Sequence, residues 1–184
     1  QDAWQTGLPW VVPSPNMPTP ETALVYPGGC LLEGTNLSEG RGTTRPFETL
    51  GAPWLDAERL VSLVSALELP GAALRPLCFR PMFHKHAGCT CSGVFVHVTD
   101  RRSFRPLRTY LAILWAVKQL VGEDLRWRTD TYEFRNDVPA LDLLWGSGQL
   151  REALCRADGA ESILELARGG NSGWDPVIMD LHIY

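Results

Sequence analysis

Thirteen consecutive residues, Glu33-Gly-Thr-Asn-Leu-Ser-Glu-Gly-Arg-Gly-Thr-Thr-Arg45, hold two carboxylates, two guanidinium groups, an amide, four hydroxyls and three glycines. A loop so punctuated can present several side chains to one ligand while its backbone amides stay open. Arg41 offers a carboxylate the two-point fork that lysine lacks. Glu33 and Glu39 are a candidate acid and base. Their spacing sets a condition. Six residues of extended chain span roughly 20 Å, whereas paired glycosidase carboxylates stand about 5–5.5 Å or about 6.5–9.5 Å apart. The two act together only if the loop folds back at Gly34. Otherwise one of them works with a carboxylate from elsewhere, or the loop is a surface feature whose charges are solvated or pair with each other.

A second string, His84-Lys-His-Ala-Gly-Cys-Thr-Cys91, places two His and two Cys within eight residues. Zinc ligands usually stand two to four residues apart within a pair, with the pairs well separated. Here one residue separates the members of each pair, a tight span that strains a tetrahedral site and leaves a zinc-stabilised domain the weakest reading; the string reads instead as a loop offering one or two site-lining histidines, or as plain surface histidines. His97 stands alone on an apolar strand and reads as a core or rim residue. Arg101, Arg102, Arg105 and Arg108 read as the solvated start of a helix. Neither a phosphate-binding glycine loop nor a Gly-x-Ser-x-Gly elbow occurs. Trp4, Trp10, Trp54, Trp127, Tyr132 and Trp145 can stack on a sugar face, although most aromatics in such a chain are core.

These groups need a frame, and the composition supplies one. Of 184 residues, 45% are hydrophobic and 21% charged, enough apolar surface to offset chain entropy and exclude a disordered tail. The longest purely apolar run, residues 111–117, is far short of the roughly 20 needed to span a membrane. A net charge of −4 argues against an electrostatic grip on nucleic acid or anionic lipid. Five scattered cysteines do not form a disulfide framework. The chain opens on Gln1 with no signal-peptide pattern, which reads as a fragment or processed product.

The elements divide into three textures. Residues 1–54 are rich in Gly, Pro, Thr and Asn. The Pro-rich stretch 13–20 is expected to be extended, Gly28-Gly29 a turn, residues 30–33 a short strand, and 34–44 a loop. In the middle third, Leu60, Val64 and Leu67 repeat at helical spacing after a cap at Asp56, and Pro70-Gly71 ends the helix. Residues 74–83, interrupted by Pro76 and Pro81, predict an edge strand. Val94, Val96 and Val98 alternate with Phe95 and His97 in the clearest strand. A helix over 105–121 admits Pro106 in its first turn, capped from Ser103, with Leu107, Leu111, Leu114 and Val121 as its buried stripe. Short helices are predicted over 139–144, capped by Asp137, over 147–157 and over 160–168. Residues 174–184 fit either strand or helix.

The chain as a whole resembles a known family. Thr6-Gly-Leu-Pro-Trp10, Pro13-Ser-Pro-Asn-Met-Pro18, Tyr26-Pro-Gly28, the string from Glu33 to Thr43, Pro46-Phe-Glu48 and Gly51-Ala-Pro-Trp54 occur in this order in the NamZ-like exo-β-N-acetylmuramidases. Phe83-His-Lys-His86, Cys91-Ser-Gly-Val94, His97-Val-Thr-Asp100 and Pro139-Ala-Leu-Asp-Leu-Leu144 fit the same pattern, while the ending Asp180-Leu-His-Ile-Tyr184 departs from it. The resemblance implies a fold between α/β and α+β. Residues 1–54 would be the last strand and site loop of a Rossmann-like catalytic domain whose remainder is absent, and 55–184 a smaller α+β C-terminal domain, with the active site between the two. It further implies hydrolysis, without a cofactor, that releases N-acetylmuramic acid from the non-reducing ends of peptidoglycan fragments in a bacterial periplasmic or extracellular setting. The partners would be muramic-acid-terminated saccharides and the absent N-terminal domain. Glu33 and Glu39 would be the catalytic carboxylates, and Asn36, Arg41, Thr43, Arg45 and His86 the substrate contacts. Arg41 or Arg45 suits the lactyl carboxylate and Asn36 the acetamido group. A glutamic acid suits the glycosidic oxygen where burial lifts its pKa toward neutrality. The alternative is a non-catalytic saccharide- or partner-binding module.

Overall fold

The computed structural model describes residues 6–168; the reading of residues 174–184 lies outside them. Helix α1 (Pro20–Gly29) is capped by the Thr19 hydroxyl, which accepts the Thr22 N–H at 3.2 Å, with Pro20 at its first position. The chain then tightens into a 3₁₀ turn, Cys30–Gly34. Two expectations are corrected here: Gly28-Gly29 is not a turn and residues 30–33 are not a strand. The reason is tertiary. Gly28 lies against the backbone of Pro106 and the Tyr110 ring, and Gly29 against Phe47. At Gly28 only a hydrogen side chain fits, and at Gly29 a Cβ would stand a tight 3.0 Å from the Phe47 Cβ, so both glycines serve close packing within the helix.

The sheet is three-stranded and antiparallel, in the order β1 (Thr49–Ala52), β3 (Cys91–Val98), β2 (Ala72–Phe79). As the alternation predicts, Val94 and Val96 face the core. On the other face Phe95 lies beneath the Arg45 and Arg75 guanidinium groups, at 5.6 and 5.8 Å, and against the exposed His97 ring. β2 is an edge, which is where Pro76 is tolerated. It ends at Phe79 rather than reaching residue 83.

Helix α2 (Ala57–Ser65) is capped by Asp56 as expected and buries Leu60 and Val64, but stops before Leu67. The long helix α3 (Pro106–Val121) packs against α1 and α2 and buries Tyr110, Leu111, Ile113, Leu114 and Val117. Leu107 is exposed instead, and Ser103 bonds to Asp100 rather than capping the helix. Helices α4 (Ala140–Trp145), α5 (Gln149–Cys155) and α6 (Ala160–Glu165) close the far side, with a 3₁₀ turn over Leu166–Arg168. Asp137 pairs with Arg135 and does not cap α4. One apolar core runs through all of this, from Val25 and Leu31 to Ile163 and Leu164. The molecule is thus a small mixed α+β domain. None of its described helices is long and apolar enough to cross a membrane.

Candidate functional site

The loop after Gly34 folds back. Thr35 starts the turn: its hydroxyl donates to the Leu32 carbonyl at 2.8 Å and accepts the Leu37 N–H at 3.1 Å. Leu37 anchors in the core with no accessible surface. Ser38 and Gly51 exchange two backbone hydrogen bonds at 2.8 and 3.0 Å, which fastens the loop to β1. Gly42 adopts a φ of +84°, and a Cβ there would stand 2.7 and 2.8 Å from the backbone nitrogens of Phe83 and Met82. This close approach joins the loop to a second one, residues 80–90.

The fold-back brings Glu33 and Glu39 to one guanidinium. Arg41 Nη2 donates to Glu33 Oε1 at 2.8 Å, and Arg41 Nε stands 3.2 Å from Glu39 Oε1. The Arg41 group also lies over the Phe47 ring at 5.1 Å. Burial works against the charge of Arg41, but the Glu33 hydrogen bond and the charges of Glu33 and Glu39 outweigh it and raise its pKa. The second oxygen of Glu33 accepts the Tyr132 hydroxyl at 3.0 Å. Burial, together with the charge and hydrogen bond of Glu33, pushes the Tyr132 phenol well above its ordinary range.

Glu39 has no accessible surface. Besides Arg41, His84 Nδ1 lies 3.2 Å from its Oε1 and Lys85 Nζ 2.9 Å from its Oε2. The buried carboxylate is thus held by the charges of three surrounding groups, with the Lys85 ammonium at hydrogen-bonding distance. Lys85 also donates to the Leu32 and Leu37 carbonyls, both at 3.0 Å. Burial lowers the pKa of Lys85, against the opposing pull of Glu39. His84 and His86 flank it in left-handed backbone, at φ +70° and +56°, a conformation that costs each about 1–2 kcal/mol. That alternation turns Lys85 inward, His84 to Glu39, and the His86 Nε2 to the Asn36 carbonyl at 2.8 Å.

Beside this cluster opens a groove of about 480 Å³, lined in part by Asn36, His84, His86, Arg126, Trp127 and Arg128. Among the described residues its one acid, Asp130, is engaged by Arg128 in a fork at 2.9–3.1 Å. The structure therefore gathers Glu33, Glu39 and Arg41 in one cluster and sets Asn36 and His86 on the adjoining wall. Asn36 uses both ends of its amide on the backbone, donating to the Asp124 carbonyl and accepting from Arg126 N–H. Thr43 and Arg45 lie apart from the groove. The Thr43 hydroxyl closes a turn onto Gly40, and Arg45 forks onto buried Glu48 and lines a different hollow with Phe95 and His97. The contacts of Lys85 and Tyr132 had no local signal, because Glu39 and Glu33, which they face, lie far away in sequence. Among the described residues no three His, Cys, Asp or Glu side chains converge as metal ligands.

The fold of this small α+β domain is similar to that of two DUF1343 family proteins of Bacteroides fragilis known from crystal structures. One superposes with a TM-score of 0.75 at 27% identity, over 91% of this chain and 46% of that one. The other gives 0.54 at 21% identity, over 94% and 41%, and speaks for the fold alone. The chain belongs to the family described as exo-β-N-acetylmuramidase NamZ, C-terminal, whose model matches residues 24–184. It is 42% identical over 159 residues to the peptidoglycan β-N-acetylmuramidase NamZ of Bacillus subtilis, covering 86% of this chain and 36% of that protein. The chain thus spans about a third of that relative's length.

Proposed function

We propose that this chain is part of a glycoside hydrolase that releases N-acetylmuramic acid from the non-reducing ends of peptidoglycan fragments. One observation carries the reading: two glutamates six residues apart are clamped on a single guanidinium at the edge of a basic groove. Hydrolysis breaks the bond from the anomeric carbon to the glycosidic oxygen. The leaving oxygen takes a proton, water supplies hydroxyl to the carbon, and a carboxylate steadies the positive charge that gathers there. Glu33 and Glu39 are the carboxylates of this chain for that chemistry, and no cofactor is required.

The two differ in access. Glu33 keeps 11% of its side-chain surface open, whereas Glu39 keeps none. Glu33 is therefore the group within reach of a sugar, and Glu39 acts through the cations around it. Asn36 and His86 shape the groove wall, and Thr43 and Arg45 hold the loop in the form that presents Arg41. A Rossmann-like domain preceding this one, as the family resemblance implies, would supply the opposite wall. The partners are then that domain and a muramic-acid-terminated saccharide, whose acidic group matches the positive lining.

In the full-length protein, Glu33→Gln is expected to lower kcat by about 10²–10⁴-fold, and Glu39→Gln, which loosens the cations that position Glu33, to lower it as well. Turnover is read on a chromogenic muramide beside circular dichroism at the assay temperature. Near-wild-type turnover by a folded Glu33→Gln or Glu39→Gln protein removes that glutamate from the machinery.

A further inference from the structure

We propose that Arg126 reads the carboxylate of the bound sugar and so sets a preference for an acidic amino sugar over its neutral counterpart; this rests on the saccharide reading of the groove.

The other cations around the groove and its loop are already engaged. Arg41 clamps Glu33 and Glu39, and Arg45 forks onto Glu48. Arg128 forks onto Asp130, donates to the Thr131 carbonyl, and lies over the Tyr132 ring at 5.1 Å. Lys85 is held by two backbone carbonyls and Glu39. Arg126 is different. It lines the groove, is exposed, and its guanidinium forms no hydrogen bond or ion pair with any described residue.

Its backbone, by contrast, is fixed. The Arg126 N–H donates to Asn36 Oδ1 at 3.0 Å, its carbonyl accepts the Asn36 N–H at 3.0 Å, and Asn36 Nδ2 donates to the Asp124 carbonyl at 2.8 Å. The next residue, half-buried Trp127, bridges to Thr35 and offers a flat apolar surface in the same groove. A free fork on a fixed stem beside an indole fits a ring that carries a carboxylate substituent. The ring lies on Trp127 and the carboxylate takes two parallel N–H···O bonds. A sugar without that acid gains nothing at Arg126. Among the described residues the groove offers it no competing anion, since Asp130 already belongs to Arg128.

The test is a two-dimensional NMR titration of the isotope-labelled 184-residue chain with the methyl β-glycosides of N-acetylmuramic acid and N-acetylglucosamine, which differ only in the lactyl ether. The muramic glycoside is expected to bind about tenfold tighter, the scale of one charged hydrogen-bond pair, and to shift the Arg126 Nε–H signal. Arg126→Gln keeps the backbone bonds to Asn36. It is expected to bring the muramic affinity down to that of the neutral glycoside and to leave the latter unchanged. Equal affinity of the unaltered chain for both glycosides overturns the role of Arg126 while leaving a sugar groove in place. So does a muramic preference that survives Arg126→Gln. Binding of neither glycoside overturns sugar recognition by this chain, and the hydrolase reading is then decided separately by the Glu33→Gln turnover.

Discussion

Lys85 is the residue on which two loops meet. Its ammonium donates to the Leu32 and Leu37 carbonyls, across 53 and 48 residues of chain, and lies 2.9 Å from the buried Glu39 carboxylate. Removing one partner of a buried ion pair leaves the other uncompensated, at about 3–5 kcal/mol. Arg41 and His84 remain near Glu39, so Lys85→Met is expected to lie at the lower end, near 3 kcal/mol, read as the shift in a urea unfolding midpoint with unchanged slope. A loss below about 0.5 kcal/mol, ordinary for a surface substitution, would mean that the latch is formed by other contacts. Glu33, Glu39 and Arg41 were legible in the sequence because they share one glycine-punctuated string. Lys85 and Arg126 were not, and Tyr132 was legible only as an aromatic that could stack on a sugar. Tyr132 meets Glu33 across 99 residues, and Arg126 is distinguished only by lacking, among the described residues, a partner such as those that hold Arg41 and Arg128.

At the scale of elements, the strands and long helices follow local pattern. Alternating valines make β3, and a proline in the first turn opens α3. Helix α1 goes against its own residues. It carries Pro27 inside and ends on two glycines, yet it persists because Gly28 lets it press onto α3. A Cβ at Gly28 would meet the Pro106 carbonyl carbon and the Tyr110 ring, each at 2.7 Å. The obstacle is backbone and cannot rotate aside. Gly28→Ala is therefore expected to destabilise by about 1–3 kcal/mol through overpacking, measured as a lowered thermal midpoint. An unchanged midpoint would show that α1 and α3 can separate without loss. The site loop depends on this packing, since the 3₁₀ turn that carries Glu33 follows directly from α1.

The whole molecule presents a groove open on one side, with Glu39 sealed behind three cations. On the proposed reading the 184-residue chain releases no chromophore from a p-nitrophenyl muramide while a full-length protein does. Equal rates would place the complete machinery in this chain and remove the need for a second wall. The sequence by itself determined the family, the candidate carboxylates and the positions of β3, α2 and α3, because those rest on short spacings and local periodicity. Only the tertiary structure decided that one guanidinium holds both glutamates, that residues 30–33 turn instead of extending, and that the groove is walled by residues from three distant segments. The physical reason is the same in each case: a charge or a glycine takes its meaning from what packs against it, and the partners here lie dozens of residues away.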